Sequence, residues 1–312
     1  MKKILKILIL GDSGFVGSNI KKKITSSNIA KVYTIGNIDL RNIDKLNNFL
    51  KNKNFDYIIN VAAHVGSVHY VTKKSADVFS DNILIDTNLY KAVNFCKLNS
   101  IIINIIANCI YPHNLKIQIE NKWNLGPVHQ SVLPFASAKR NLKILTELFY
   151  RQYKLKSINL ICPSLYGPGD HLDPNKTHAL NGMIIRMISN QNKKKKNFDL
   201  WGNGQARREW LYIDDLNNII LLVLKKKIKH LPIINIAQNK SYSIKCLAKI
   251  ISIKLNYKIN FIKNDSYQKV HKFRQLDNTF FKKIFKNFKF INIESGIENS
   301  ISYYKEKLGF PV

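Results

Sequence analysis

Three glycines near the start of the chain constrain its fold more than anything that follows them. Gly11, Gly14 and Gly17 are spaced GxxGxxG, directly behind residues 4–10, which are apolar except for Lys6. A helical stretch begins at Phe15. An apolar segment of that length predicts a buried strand of a parallel sheet. Glycines in this order allow a tight turn, close approach of backbone to a pyrophosphate, and tight packing of helix on strand. The helix N-terminus supplies the positive end of a dipole for the anion. The pattern predicts dinucleotide binding at Gly11, Ser13, Gly14, Phe15, Val16 and Gly17. Asp39 and Leu40, about 20 residues on, and Ala62 and Ala63, at the end of a third strand, complete the predicted nucleotide-facing set.

Strand and helix patterns alternate through the first half of the chain. Strands are expected at 32–35, 57–61, 101–106 and 157–161, and helices at 43–50, 82–98 and 136–153. This rhythm predicts an α/β fold, a Rossmann-type doubly wound parallel sheet covered by helices. Pro- and Gly-containing text at 163–174 ends the rhythm, and later strands at 233–236 and 259–262 mix with helices. Residues 233–237 are expected to rejoin the sheet. The expected division is a dinucleotide-binding Rossmann domain (1–162 plus about 210–240) and a smaller mixed α/β substrate domain (about 163–209 and 241–312).

Hydrophobic residues make up 45% of the 312, with no uninterrupted run of membrane-spanning length, so a soluble protein is expected. The N-terminal lysines and apolar run resemble a signal peptide. Gly11-Asp12-Ser13-Gly14 follows at once without a small-residue cleavage site, so a first strand and a cytoplasmic protein are expected. Four cysteines lie far apart without metal-ligand spacing, and no metal is expected. Three of them, Cys96, Cys162 and Cys246, are read as buried small hydrophobes. The formal charge of +30 comes from lysines scattered over helix faces and loops, including the runs at 193–196 and 225–227. Neither nucleic acid nor membrane is an expected partner; an anionic small substrate is favoured by such a field.

Beyond the glycine loop (GDSGFVGS, 11–18) stand VAAHVGS (61–67), NCIYPH (108–113), LYGPGD (165–170), His178, WGNGQARREWLYIDD (201–215) and INIAQN (234–239). Together they resemble the extended short-chain dehydrogenase/reductases, and within them the GDP-L-fucose synthases. That resemblance implies epimerisation of a GDP-linked 4-keto-6-deoxy-mannose at C3 and C5, reduction at C4 by NADPH, and a homodimer built on helices 82–98 and 136–153. It places Cys109 and His178 on the acid/base pair, with His178 also near the cofactor, and Lys139 on the lysine that holds the nicotinamide ribose. It places Asn108, Trp201 and Arg208 against the GDP-sugar, with Arg186 and Arg274 as phosphate partners. Three positions depart from the pattern. Ala107 stands for a Ser or Thr, Phe135 for a Tyr, and Ser13 for an Arg that often contacts the 2′-phosphate of NADP. Gly36 and Asn37 offer neither an acid nor an Arg, and Arg41 is expected on the next helix. NADP(H) and NAD(H) therefore both remain open.

The residue types suit half of this chemistry. A C4 ketone acidifies the hydrogens at C3 and C5, and inversion needs a base on one face and an acid on the other. A thiol and an imidazole, with ordinary pKa values of about 8.5 and 6.5, trade a proton near neutrality, and either could be the base. Hydride delivery to C4 instead generates an alkoxide that needs hydrogen bonds, and loss of one such donor costs about 10²–10³ in rate. At Ala107 and Phe135 both donors are missing. The leading expectation is an epimerase of a GDP-linked 4-keto sugar with C4 reduction lost or impaired. A full epimerase/reductase using Tyr111 or Asn108 as substitute donor comes second, and a non-catalytic paralogue that binds cofactor or nucleotide sugar third. Hexose and heptose are not distinguished.

Overall fold

The structure is a computed structural model and describes residues 4–173, 176–264 and 274–311. The chain divides into two compact units. The first comprises Met1–Pro112, Trp123–Ile161 and Asn217–Ile234; the second comprises His113–Lys122, Cys162–Leu216 and Asn235–Val312.

The chain opens with β1 (Leu5–Leu10), α1 (Phe15–Ser26), β2 (Ala30–Thr34), α2 (Ile43–Leu50) and β3 (Tyr57–Asn60). Then come α3 (Val68–Lys73), α4 (Ser75–Phe95), β4 (Ile101–Ala107), β5 (Ile117–Gln118), α5 (Leu133–Tyr153) and β6 (Ser157–Cys162). Next are β7 (Ser164–Tyr166), α6 (Ala179–Asn192), β8 (Asn197–Trp201), β9 (Arg207–Tyr212), α7 (Ile213–Lys225) and β10 (Leu231–Asn235). Last are β11 (Ser241–Ser243), α8 (Ile244–Lys254), β12 (Asn260–Asn264), β13 (Gln275–Leu276), α9 (Thr279–Ile284) and α10 (Ile293–Lys307).

The first unit is built on one six-stranded sheet in the order β10-β6-β4-β3-β1-β2. β1 runs parallel to both β2 and β3, and β3 runs parallel to β4. The chain leaves β1 on one side for β2 and returns to its other side for β3. The switch point therefore lies at the carboxyl ends of β1 and β3, where a doubly wound sheet binds its ligand. Ile7, Leu8, Ile9 and Leu10 are completely buried. Each such side chain contributes about 1.5–3 kcal/mol over its exposed state. Both faces of the strand are covered, as its continuous apolar run requires. Helix α4 begins at Ser75, earlier than its apolar spacing predicts, and α3, capped by the Ser67 hydroxyl, was not expected.

The second unit carries three small sheets among its described residues. β9 pairs parallel with β7 and antiparallel with β11, β8 pairs parallel with β12, and β5 pairs parallel with β13. Helices α6, α8 and α10 close a core around Tyr166, Met187, Trp210, Leu247, Ile297 and Tyr304. The reading of three buried cysteines holds only for Cys162. Cys96 is partly buried at the end of α4. Cys246 is exposed, because α8 turns Leu247, Ala248 and Ile251 inward and leaves it on the outer face. Both lysine runs are exposed, the first after α6 and the second at the end of α7. Among the described residues no helix is long and apolar enough to cross a membrane.

Candidate functional site

The glycines divide their duties. Gly11 has a φ of +84°, and a Cβ there would lie 2.8 Å from the Ala62 amide nitrogen. It therefore sits hard against the chain leaving β3. A Cβ on Gly17 would lie 2.1 Å from the Gly11 carbonyl oxygen, so that glycine permits helix-on-loop packing. Gly14, the N-cap of α1, is different: a Cβ would meet only the Gly11 oxygen, at an ordinary 3.6 Å. Ser13 and Gly14 are exposed while Phe15 is buried. No side chain caps α1 and no acid stands in its first turn. The Asp12 carboxylate beside the loop is bound by Lys21 at 2.9 Å. An open helix N-terminus at the switch point, free of acid and side-chain cap, fits a pyrophosphate.

At the carboxyl end of β4 the chain turns through one turn of 3₁₀ helix, Asn108–Ile110. Ala107, Asn108 and Cys109 are partly exposed, whereas Tyr111 is 1% exposed. Arg140 of α5 braces this turn, its Nε donating to the Ile110 carbonyl at 2.6 Å and its Nη2 to the Trp123 carbonyl at 3.0 Å. Burial pulls the guanidinium down from its ordinary value, and the charge of Cys109 opposes that pull. A guanidinium in this place stabilises negative charge on sulfur.

Phe135 and Lys139 lie one turn apart on α5, with the Lys139 ammonium 5.9 Å from the centre of the Phe135 ring. Lys139 is buried and donates to Asp86 Oδ2 at 2.9 Å. Asp86 also accepts from the Asn60 amide at 3.0 Å, and Asn60 donates to Asn104 at 3.3 Å. Asn104 donates in turn to the Tyr90 hydroxyl and to Asn159, both at 2.8 Å. Asn60, Asn104 and Asn159 thus form a polar ladder across β3, β4 and β6, ending on a buried ion pair. Removing one member of such a pair costs about 3–5 kcal/mol. Lys139 commits one of its three protons to Asp86.

In the second unit His178 is the N-cap of α6, exposed, with its Nδ1 2.8 Å from Asp170 Oδ2. The buried Asp170 carboxylate also accepts from the His178 and His171 amides, the Thr177 hydroxyl and the Asn181 amide. Burial pushes Asp170 up, but hydrogen bonds and charge from His178, with the bond from Thr177, outweigh it and hold the group well below the ordinary carboxylate range. A carboxylate at Nδ1 orients the imidazole and favours a proton on that nitrogen.

Arg208 of β9 is half-buried, and burial, with the charge of Arg274, lowers it to about 10. The two guanidiniums are close enough for each to disfavour the other's charge. Between them in sequence stands buried Glu209, which accepts from the Asn239 amide at 2.7 Å and the Leu276 amide at 2.9 Å. Burial raises Glu209 to about 7, against the pull of those amides. Arg186 is placed differently, stacked 4.7 Å over Phe198 with Nη1 on the Asp199 carbonyl. Trp201 ends β8, and its side chain lies outside the described residues. Arg41 lies in the turn before α2, not on it, because Asn42 takes the N-cap.

Three positioning residues escaped the sequence reading: Arg140, Asp86 and Asp170. Asp170 had a signal, a carboxylate eight residues before a histidine in a Gly/Pro loop. Arg140 and Asp86 had none, since only the packing of α5 against β4 and α4 brings them to their partners.

A sequence model of the NAD dependent epimerase/dehydratase family matches residues 7–237. GDP-L-colitose synthase of Yersinia pseudotuberculosis is 27% identical over 303 residues, which cover 96% of this chain and 98% of that protein. Among solved structures, a GDP-L-fucose synthetase from Naegleria fowleri superposes with a TM-score of 0.87 at 21% identity, covering 99% of this chain and 96% of its own. The same protein bound to NADP gives 0.86 at 21% identity, over 99% and 95%. The two share the α/β fold described above.

Proposed function

The chain belongs to the NAD dependent epimerase/dehydratase family, and from that premise we propose that it epimerises a GDP-linked 4-keto-6-deoxy sugar at C3, C5 or both, with C4 reduction lost or nearly so. One observation carries this reading. The proton-transfer groups are retained and supported, Cys109 beside Arg140 and His178 on Asp170, while the hydride-step hydroxyls are absent at Ala107 and Phe135. Cys109 and His178 remove and return protons at carbon. Arg208 and Arg274 take the diphosphate of the GDP moiety, which suits the GDP-sugars named in the similar proteins.

Gly11, Gly14, Gly17 and the open end of α1 hold a dinucleotide, and Lys139 offers its remaining protons to the ribose. When bound, the nicotinamide supplies hydride chemistry at C4. An alkoxide forming there meets neither a Ser at 107 nor a Tyr at 135. Of the substitute donors, Tyr111 is consumed by the core, which leaves Asn108. We assign the protein to a homodimer as well: α4 and α5 pack together and expose Phe79, Leu84, Ile144 and Leu148. Incubation with GDP-4-keto-6-deoxy-mannose in D₂O, with and without NADH or NADPH, followed by mass analysis, tests the reading. Deuterium uptake in both arms without net reduction supports it. Reduction at a rate comparable to exchange restores the full epimerase/reductase, and tight binding without either leaves a binding paralogue.

A further inference from the structure

We infer that the cofactor site selects NAD(H) over NADP(H), because Arg41, the cation that follows β2 in the chain, is already held by two carboxylates. The inference rests on the dinucleotide part of the reading above. In a doubly wound sheet whose pyrophosphate sits at the N-terminus of α1, the adenosine ribose reaches the end of β2. There an acid accepts from the 2′-hydroxyl of NAD, or an Arg takes the 2′-phosphate of NADP. Here β2 ends at Thr34, and residues 35–42 contain one cation, Arg41. Gly36 (φ +65°) would carry a Cβ with nothing within 4 Å, so the space at the strand end is open, and Asn37 is exposed beside it.

Arg41 already serves two carboxylates, which a phosphate would have to join or displace. Its Nε and Nη2 donate to Asp39 at 3.0 and 2.7 Å, a two-pronged grip, and its Nη1 donates to Asp81 Oδ2 at 2.9 Å. Asp81 is itself anchored, its Oδ2 2.7 Å from His64 Nδ1, and His64 Nε2 stands 2.7 Å from the Tyr70 hydroxyl. The two acids outnumber the arginine, and Asp39, lowered to about 2 chiefly by its hydrogen bonds from Arg41, stays charged. In the glycine loop, Ser13 carries no charge and Lys21 is bound to Asp12. A 2′-phosphate, bearing up to two negative charges, would have to displace a carboxylate from Arg41 or sit beside two of them. A ribose 2′-hydroxyl meets neither penalty, since Asn37 and Asp39 both offer an acceptor. This sets the protein apart from the similar synthetase solved with NADP.

Calorimetric titration of the full chain with NAD⁺ and with NADP⁺, in buffer at about 0.1 M salt where the screening length is about 10 Å, tests this directly. The expected result is tighter binding of NAD⁺ by at least tenfold. The fragments 5′-AMP and 2′,5′-ADP should rank the same way. Asp39→Asn with Asp81→Asn, which frees Arg41, should narrow the preference or reverse it, and Ser13→Arg should narrow it independently. Equal affinity, or tighter NADP⁺ binding by the unmutated protein, overturns the inference and leaves the epimerase reading standing, since proton exchange at carbon does not pass through the ribose. Binding of neither dinucleotide overturns both this inference and the assignment of the glycine loop.

Discussion

Returning the two missing hydroxyls should return hydride chemistry. Phe135→Tyr adds an oxygen to a partly exposed ring whose centre lies 5.9 Å from the Lys139 ammonium, and Ala107→Ser adds one at the last residue of β4. Each donor is worth about 10²–10³ in rate, or ~2.7–4 kcal/mol of transition-state stabilisation. Full additivity would give about 10⁴–10⁶, but donors to one developing oxygen are coupled and do not add. The Lys139 charge is also shared with Asp86 across 2.9 Å, which weakens the help it gives a neighbouring tyrosine. The expectation is therefore a gain of about 10³–10⁴ for the double variant and about 10–10² for either single one. The assay is loss of nicotinamide absorbance with GDP-4-keto-6-deoxy-mannose as substrate, run separately with NADH and NADPH at concentrations that saturate binding. An unmutated protein that already oxidises cofactor as fast as the double variant would refute the reasoning, because Asn108 or another group would then be supplying the proton.

Gly14→Val should lower dinucleotide affinity at least ~100-fold by blocking backbone approach. Melting temperature should barely move, since the added Cβ meets only the Gly11 oxygen at 3.6 Å; Gly17→Ala, at 2.1 Å from that oxygen, should destabilise the protein instead. Asp170→Asn should slow proton exchange by ~10² and alter its pH profile, because the amide keeps an acceptor near His178 Nδ1 but removes the carboxylate charge beside the ring; a profile unchanged in shape and height would make Asp170 purely structural. Asp215 accepts from the Ile291 amide, and burial, with the charge of Asp214, raises it from 3.8 to about 7. The folded state therefore retains a proton that the unfolded state gives up between about pH 4 and 7, so stability from this group falls as pH rises through that window. Asp215→Asn keeps an acceptor for Ile291 and should stabilise the protein at pH 8 by about 2–4 kcal/mol, with little gain near pH 4, as read by denaturant unfolding.

Contiguous features were legible in the sequence. The buried run of β1, the glycine loop and the start of α1 lie within 17 residues, and local chemistry alone decides them. The sheet was legible for the same reason, since each of its strands is a short apolar run with turn residues behind it. What joins distant segments was not. β5 is two residues long and finds β13 more than 150 residues later, and no pattern of that length stands out from a loop. Asn60, Asn104 and Asn159 read as blemishes in apolar strands, yet parallel pairing sets Asn60 opposite Asn104 and makes them partners. Lys139 could be taken from a motif, but its partner Asp86 sits on the long α4, where one acid looks like any other. Arg41 was expected on a helix, and only its contacts reveal that it is paired with both Asp39 and Asp81.

Position-resolved deuterium uptake tests the central claim most directly. GDP-4-keto-6-deoxy-mannose is incubated with the protein in D₂O without any nicotinamide cofactor, and the signals at C3 and C5 are followed by proton NMR. Exchange at one or both carbons is expected, strongly suppressed by Cys109→Ser, because an alcohol is a far weaker acid and base near neutrality than a thiol. His178→Asn should suppress it as well, unequally at the two carbons if the residues divide the work. Exchange that neither substitution affects, or no exchange by a protein that binds the sugar nucleotide tightly, would contradict the account.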